Sequence, residues 1–285
     1  MTRGRSQRVL MRHWDGSHEH RRPDDLVVEE PLTIRLDGVT VTTTMRTPGH
    51  DFELAAGFCF TEGLLGDASV TTIRYCYTEP AIASGDHPNV PPAPSRHREP
   101  AIATGYNLVT VETDGAPPAT PRLGLTTSSC GLCGTESIET LRNKLGPLPG
   151  SGKPIGDMDV LAAVPDRVRA AQDLFDTTGG VHAAAAFTAG GRPTLVREDI
   201  GRHNAVDKVV GRLLLDGDLP AHGRGLFVSG RASFEMVQKA WAAGFTTVVA
   251  VSAPSSLAVE TARAAGLCLA GFARDGRLNL YSPYG

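Results

Sequence analysis

Near its carboxyl end the chain contains GLFVS at residues 225–229, TVVAV at residues 247–251 and LCLAGF at residues 267–272. Helical patterns at residues 232–243 and 255–265 separate these three short apolar runs. Strands that alternate with helices form βαβ units, whose right-handed crossovers place the strands parallel in one sheet. The sequence therefore predicts an α/β fold with a ligand crevice beyond the carboxyl ends of these strands.

Small and polar side chains follow each of the three predicted strands. The segments are Ser229-Gly230-Arg231, residues 252–256 (SAPSS), and the run Phe272, Ala273, Arg274, Asp275, Gly276 and Arg277. Hydroxyls, helix N-termini and arginines at one sheet edge are typical of a site for a phosphorylated ligand.

The same residue types also make ordinary turns and helix caps, so the pattern alone leaves a second interpretation open. In that interpretation Arg274 and Arg277 flank a solvated hairpin turn. Likewise, four charged or titratable residues upstream would form a surface ion-pair cluster of small energetic value: Asp199, Arg202, His203 and Asp207.

The first half of the chain reads as strand-rich and antiparallel. Alternation around Asp37-Gly38 predicts a hairpin over residues 32–45, followed by a helix over residues 52–59. Further strands are predicted at residues 72–78, 106–112 and 122–126. Beyond them, the sequence predicts a long helix at 157–177 that Pro165 kinks or divides, a hairpin at 181–197 and a helix at 204–215.

Residues 1–25 are rich in arginine and histidine and poor in apolar side chains, which favours a disordered arm. Residues 26–150 then form a strand-rich N-terminal domain, and residues 151–285 form a C-terminal α/β domain. The net charge of −3 argues against a nucleic-acid partner. No apolar stretch is long enough to span a membrane and no export signal is evident, so the expected location is cytoplasmic.

Two cysteines, Cys130 and Cys133, lie between a predicted strand and a predicted helix at residues 137–145. Gly131 and Gly134 permit the backbone angles of an exposed turn, and the positive end of the following helix favours a nearby thiolate. Because the thiolate is the nucleophilic form of cysteine, the pattern indicates reactive sulfur.

Other interpretations of this Cys-x-x-Cys pattern compete. A structural zinc site needs four ligands, and the chain has no second cysteine pair. The nine histidines leave a mixed cysteine–histidine site open, but we predict no bound metal. Zinc deaminases carry proline immediately before the motif, where this chain has Ser129. A thioredoxin-like dithiol remains open, although that motif belongs near the start of a small βαβ domain. A structural disulfide is disfavoured for a chain expected in the cytoplasm.

The cysteine pair and its surroundings resemble the signature of the FdhD family, the sulfurtransferases that act on the molybdenum cofactor of formate dehydrogenases. The resemblance extends over most of residues 28–282. The matching stretches are TTMRTPGHD at 43–51, FCFTEG at 58–63, SSCGLCG at 128–134, SIE at 137–139, TGGVH at 178–182, EDIGRHNAVDK at 198–208 and SGR at 229–231. The chain departs from the family at Thr135, where a basic residue is common, and at Pro80 to Pro100, which resembles an insertion.

This resemblance implies a sulfur relay. Cys130 would receive sulfur as a persulfide from a cysteine desulfurase, and Cys133 would accept that sulfur or expel it by forming a disulfide. The bis-molybdopterin guanine dinucleotide form of the molybdenum cofactor would be bound as substrate by the residues from Phe272 to Arg277, with Ser229, Gly230 and Arg231. Formate dehydrogenase would be the recipient.

The resemblance also implies a homodimer and a C-terminal three-layer domain similar to the cytidine deaminase fold. Two other functions stay open. A dithiol oxidoreductase would need a reversible Cys130–Cys133 disulfide and no crevice. A non-catalytic chaperone that shields the cofactor would need Arg274 and Arg277 but neither cysteine.

Overall fold

The computed structural model describes residues 4–75, 107–119, 125–126, 138–150 and 153–283. The described part of the chain is mixed α/β and contains a small hairpin, a five-stranded sheet and a six-stranded sheet. The cysteine pair at Cys130 and Cys133 lies outside the described residues, as does the stretch from Pro80 to Pro100.

The N-terminal segment forms a hairpin, and the prediction of a disordered arm over residues 1–25 is wrong for most of it. Strands β1 (Ser6–Trp14) and β2 (Glu19–Val27) pair antiparallel over their whole length. The Asp15 carboxylate closes the turn by accepting hydrogen bonds from the backbone N–H groups of Ser17 and His18, both at 2.8 Å. Two of the arginines that suggested disorder instead pair across the hairpin, Arg8 with Asp25 at 2.8 Å and Arg12 with Glu19 at 3.1 Å.

The next part of the chain builds the five-stranded sheet and one helix. Its elements are β3 (Glu30–Leu36), β4 (Val39–Arg46), α1 (Asp51–Thr61), β5 (Val70–Tyr75), β6 (Leu108–Thr113) and β7 (Leu125–Thr126). The predicted β3–β4 hairpin is confirmed, and its alternating Leu32, Ile34 and Leu36 are buried against Phe52 and Leu54 of α1.

The five strands lie in the order β5-β6-β3-β4-β7, and the prediction of an antiparallel first half is only partly right. Strand β3 pairs parallel with β6, and β4 pairs parallel with β7. A tight hairpin forces antiparallel pairing, whereas a long connection allows a strand to return in either direction. Strands β6 and β7 both return after long connections, so local sequence did not determine their direction.

A group of short helices leads into the second half of the chain. They are α2 (Ile138–Leu145), α3 (Met158–Ala162), α4 (Val164–Arg169) and α5 (Asp173–Thr178). The helical stretch predicted over residues 157–177, which Pro165 was expected to kink or divide, is split into three helices, with one boundary next to Pro165. Pro165 lies in the first turn of α4, where its missing N–H removes no intrahelical hydrogen bond.

The second half forms a three-layer α/β unit. Its elements are β8 (His182–Phe187), β9 (Pro193–Asp199), α6 (Arg202–Leu215), β10 (Gly225–Val228), α7 (Phe234–Ala242), β11 (Thr247–Ala250), α8 (Ser256–Ala265), β12 (Cys268–Arg274) and β13 (Arg277–Ser282). The sheet order is β13-β12-β11-β10-β8-β9, and the predicted parallel pairing of β10, β11 and β12 is confirmed. Helices α6, α7 and α8 cover one face, while α3 and α4 cover the other.

Helices α1 and α6 join the two sheets through a close crossing. A Cβ on Gly57 would overlap the backbone carbonyl of Asp207, and a Cβ on Gly211 would overlap that of Glu53. The two glycines therefore allow the helix backbones to touch. Around the crossing, the Glu53 carboxylate binds the Arg197 guanidinium of β9 at 2.8 Å, which ties α1 to the second sheet.

Replacing Gly57 with alanine is expected to lower the free energy of unfolding by about 3 kcal/mol, because the new methyl group forces two helix backbones apart. Urea denaturation followed by circular dichroism measures the loss. Gly190→Ala is the matched control, since a Cβ there meets only the Thr188 hydroxyl at 3.9 Å. Equal stability of the two variants would show that the crossing is not tight.

Candidate functional site

The carboxyl ends of β10, β11 and β12 form one continuous edge of the six-stranded sheet. The Ser252 N–H donates to the Gly230 carbonyl at 3.3 Å, and the Phe272 N–H donates to the Ser252 carbonyl at 3.2 Å. The structure thus brings the predicted segments Ser229-Gly230-Arg231 and 252–256 together with Phe272, as the sequence led us to expect. The N-termini of α6, α7 and α8 lie at this same edge, because each helix follows a strand that ends there.

The segment from Phe272 to Arg277 is the end of the β12–β13 hairpin. Phe272 has a φ of 52° within a bulge, and its side chain is exposed. Asp275 and Gly276 both have positive φ, as a two-residue hairpin turn requires, and Arg274 pairs with Arg277 across it. Ala273 is the exception among the predicted residues, because its side chain is packed in the core between the sheet and α3–α4.

His182 and Ser229 meet beside Gly230. The Ser229 hydroxyl oxygen accepts a hydrogen bond from the Ala183 N–H at 2.9 Å and lies 3.4 Å from His182 Nδ1. Burial lowers the pKa of His182, as do the neighbouring Arg202 and His203, while Asp199 acts in the opposite direction. The lowered pKa favours the neutral form of the imidazole.

The first residues of α6 and α7 face each other across this edge. The His203 imidazole contacts the Glu235 carboxylate of α7. Two buried polar atoms beside this pair, Arg202 Nε and Ser233 Oγ, have no hydrogen-bond partner among the described residues. Sequence reasoning gave no ligand role to His182, Arg202 or Ser233, although the first two lie within stretches that carry the family resemblance.

The interpretation of Asp199 and Asp207 as part of a surface ion-pair cluster is wrong. Asp199 is fully buried, binds Lys208 at 2.7 Å and accepts from the Gly201 N–H at 2.8 Å. Asp207 is also buried and binds Lys239 at 2.9 Å. Both pairs involve α6, so they fix the helix whose first turn lines the sheet edge.

The segment that carries Cys130 and Cys133 is anchored at both ends. At one end Thr126 pairs through its backbone with Thr44, whose hydroxyl donates to the Asn204 carboxamide of α6 at 3.4 Å. At the other end, Leu141 of α2 is buried in the core beneath α7 and α8. Cys130 follows Thr126 by four residues, and a fully extended chain of that length limits the distance between the two Cα atoms to about 14 Å.

Two other cysteines are buried and chemically quiet. Burial raises the pKa of Cys268 to about 11, and burial also raises the pKa of Cys59, with nearby Asp207 adding to the effect. Neither thiol is a nucleophile at neutral pH, as expected of cysteines in apolar runs.

Among the residues that the structure describes, no three His, Cys, Asp or Glu side chains are grouped to hold a metal ion. Within the same ranges, no helix has the length and hydropathy needed to span a membrane.

The chain is similar to several curated proteins over nearly its full length. It is 47% identical to "Sulfur carrier protein FdhD" of Streptomyces avermitilis, covering 99% of this chain and 95% of that protein. Proteins with the same name from Nocardia farcinica and Mycobacterium tuberculosis are 47% and 43% identical, covering 93% and 95% of this chain and 88% and 95% of theirs.

A crystal structure from Desulfotalea psychrophila, provisionally described as a formate dehydrogenase accessory protein, has the same fold. Its TM-score is 0.69 at 20% identity, over 98% of this chain and 97% of that one. The model of the FdhD/NarQ family matches residues 27–285 of the sequence. With this match and relatives above 40% identity, the chain belongs to the FdhD/NarQ family.

Proposed function

We propose that this protein is a sulfur carrier that matures formate dehydrogenase, with Cys130 as the persulfide-bearing residue. Its relatives carry the name sulfur carrier protein, and the two most similar of those named above match over 95% and 88% of their own lengths. The observation that carries the proposal is the anchoring of the cysteine segment: Thr126 is tied through Thr44 to Asn204 in the first turn of α6. The segment that carries the two cysteines therefore begins beside the carboxyl edge of the six-stranded sheet.

The first step is an exchange between sulfur atoms. The Cys130 thiolate attacks the terminal sulfur of a persulfide on a cysteine desulfurase and displaces the thiolate of that enzyme. A persulfide forms on Cys130, and no net oxidation occurs. The flanking Gly131 and Gly134 leave the backbone free to present the sulfur to two large partners in turn.

The second step releases sulfur in the oxidation state of sulfide. The Cys133 thiolate attacks the Cys130 sulfur, a disulfide forms, and hydrosulfide leaves. The two thiols supply both electrons that reduce the transferred sulfur. Hydrosulfide then replaces an oxygen ligand of the molybdenum in the substrate, and the oxygen leaves as water with the hydrosulfide proton and one proton from solvent. An external thiol reductant restores the cysteine pair.

The substrate in this proposal is the molybdenum cofactor in its bis-molybdopterin guanine dinucleotide form. Its pyrophosphates suit the exposed arginines Arg274 and Arg277 at the hairpin turn, and Ser229, Gly230 and Arg231 at the end of β10. The exposed ring of Phe272 offers a face on which guanine would stack. We further propose that the carrier acts as a homodimer and is a sulfurtransferase.

Intact-mass spectrometry after incubation with a cysteine desulfurase and cysteine tests the proposal. The wild-type chain should gain one reductant-labile sulfur atom, and Cys130→Ala should gain none. Cys268→Ala is the matched control and should load like the wild type, because that thiol is buried. A wild-type chain that forms the Cys130–Cys133 disulfide without gaining sulfur would contradict the proposal and favour a dithiol oxidoreductase.

A further inference from the structure

The β1–β2 hairpin has one face that is exposed along its outer half. Residues directly opposite each other in an antiparallel pair lie on the same face of the sheet. On this face the opposite pairs nearest the turn are Leu10 with Pro23, Arg12 with Arg21, and Trp14 with Glu19. All six residues are exposed, so no element in the described part of the chain covers them. We call these six residues the tip face.

Two residues of the tip face are large and apolar. Leu10 is 66% exposed and Trp14 is 64% exposed, the highest values among the large hydrophobic residues that the structure describes. A two-stranded hairpin is marginally stable in water unless it packs against something else. A tryptophan surrounded by arginines is also the composition found at the energetic centre of protein interfaces. The tip face therefore has the residues of a docking surface.

The charge that the hairpin offers to a partner is positive. Its outer half, residues 10–23, contains two acidic residues, Asp15 and Glu19. The Asp15 carboxylate accepts the N–H groups of the turn, and Glu19 is held in an ion pair across the hairpin at 3.1 Å. Arg21 and Arg22 are exposed and form no ion pair within the described ranges. A complementary partner presents acidic residues around an apolar pocket.

A second copy of the chain fits this hairpin poorly. Arg8 and Arg12 flank Leu10 on β1, so antiparallel pairing of two β1 strands about Leu10 would bring like charges together. Pro23 lies in β2 and has no N–H to donate to another strand. Charged side chains and proline are the features by which edge strands avoid pairing with copies of themselves. The partner is therefore a different protein, bound through side chains.

The hairpin begins at the carboxyl edge of the six-stranded sheet. At its base, Val27 lies beside Gly180, whose Cβ would be 3.3 Å from the valine, and Arg5 donates to the Glu198 carbonyl at 3.5 Å. Strand β8 begins and strand β9 ends at this edge, because β8 runs antiparallel to both β10 and β9. Nine residues at about 3.3 Å each carry the turn up to about 30 Å from there. A protein that meets this edge is within reach of the tip face.

We propose that the tip face is a docking surface for formate dehydrogenase, and that Trp14 enters an apolar pocket with an acidic rim on that enzyme. The inference rests on the proposed function, since it names the surface that recognises the recipient. The desulfurase needs only the segment that carries the cysteines, whereas the recipient must also meet the sheet edge where the cofactor would lie. The family model matches from residue 27 onward, so most of the hairpin precedes the part of the chain that it describes. That position suits an element that recognises a particular partner.

Biolayer interferometry tests this surface with the full chain and the sulfur-free formate dehydrogenase of the same organism. Trp14→Ala removes the apolar anchor and should weaken binding by about 30-fold. Arg21→Glu combined with Arg22→Glu reverses the free charge and should slow association by about 10-fold at low salt, with a smaller effect at high salt. Leu257→Ala is the matched control, because Leu257 is 44% exposed on α8. Its affinity should stay within about twofold of the wild type.

Each outcome decides the proposal. Loss of affinity in both hairpin variants, with Leu257→Ala unchanged, supports the docking surface. Wild-type affinity in Trp14→Ala overturns it, as does a wild-type chain that does not bind the enzyme. If Trp14→Ala unfolds the hairpin, wild-type association in the charge variant overturns it instead. Variants that lose self-association or binding to the desulfurase while still binding the enzyme also overturn it.

Sulfur loading of the same samples separates this failure from failure of the carrier function. Both hairpin variants should load sulfur like the wild type, because the tip face contains no cysteine. A chain that loads sulfur but does not use the hairpin to bind the enzyme loses only the docking surface. A chain that binds the enzyme through the hairpin but never loads sulfur loses the carrier function.

Discussion

Cells whose only carrier is the Cys130→Ala variant are expected to make formate dehydrogenase that is fully assembled and inactive. Without this thiol, the sulfane sulfur from the desulfurase has no acceptor, so the loss should be complete rather than graded. The measurement is formate dehydrogenase activity together with the sulfide content of the purified enzyme.

Two comparisons make the result specific. Cys268→Ala should support normal activity, because the Cys268 thiol is buried in β12 and cannot exchange sulfur with a partner protein. The thermal unfolding of the carrier should be unchanged by Cys130→Ala. An active, sulfur-containing formate dehydrogenase from the Cys130→Ala strain would contradict the carrier proposal and favour a chaperone that only shields the cofactor.

Replacing Lys239 with methionine should lower the free energy of unfolding by about 3–5 kcal/mol, because it leaves a carboxylate buried without its cation. The Lys239 ammonium donates to the Thr61 hydroxyl at 2.8 Å, to Glu62 at 3.1 Å and to Asp207 at 2.9 Å. Lys239 and Asp207 are both buried where α1, α6 and α7 meet. Urea denaturation at neutral pH measures the loss.

The pH dependence gives this variant a signature. Burial opposes the charge of Lys239, but Asp207 and Glu62 outweigh it and raise the pKa of the ammonium. At the alkaline end, the contribution of Lys239 is complete below the ordinary lysine pKa and is lost only as pH rises through the raised value. In Lys239→Met, burial and the neighbouring Glu62 raise the pKa of Asp207 without the ammonium to oppose them, so protonation should relieve the destabilisation as pH falls from neutral into the acid range.

A matched pair of controls accompanies the measurement. Lys239→Met combined with Asp207→Asn removes both charges and should recover part of the lost stability. Arg224→Met breaks a largely exposed pair with Asp218 and should cost no more than about 1 kcal/mol. A Lys239→Met variant within 1 kcal/mol of the wild type at neutral pH, with no pH dependence, would show that water reaches Asp207.

The sequence predicted the second half of the fold well because its information is local. Apolar runs of strand length between amphipathic helices specify β10, β11 and β12 without reference to distant residues, and short turns specify the β8–β9 hairpin. The strand directions of β6 and β7 escaped prediction because they depend on which strands those segments meet after long connections. The β1–β2 hairpin was not predicted, because its charged side chains pair only once the two strands have come together.

The residues of the candidate site also fall into those that local sequence placed correctly and those that depend on distant parts of the chain. Ser229, Gly230 and Phe272 were placed at one edge because they follow predicted strands, and the structure puts them there. The surface position predicted for Asp207 and Asp199 was wrong, because the burial of α6 depends on α1, which lies far away in the sequence. Arg202 and His182 lie in stretches that carry the family resemblance, but only the structure shows the unpartnered Arg202 Nε and the contact of His182 with Ser229.

The crossing of α1 and α6 also sets the order of events during synthesis. Ten of the eleven residues of α1 are buried in the finished fold, and the glycine contact on α6 is part of that burial. About 140 residues separate the end of α1 from the start of α6. At about 5–20 residues per second, a ribosome needs roughly 7 to 30 s to deliver the partner helix. The emerging N-terminal half therefore waits with only the α6-facing side of α1 uncovered, so we expect the nascent chain to need ribosome-associated chaperones.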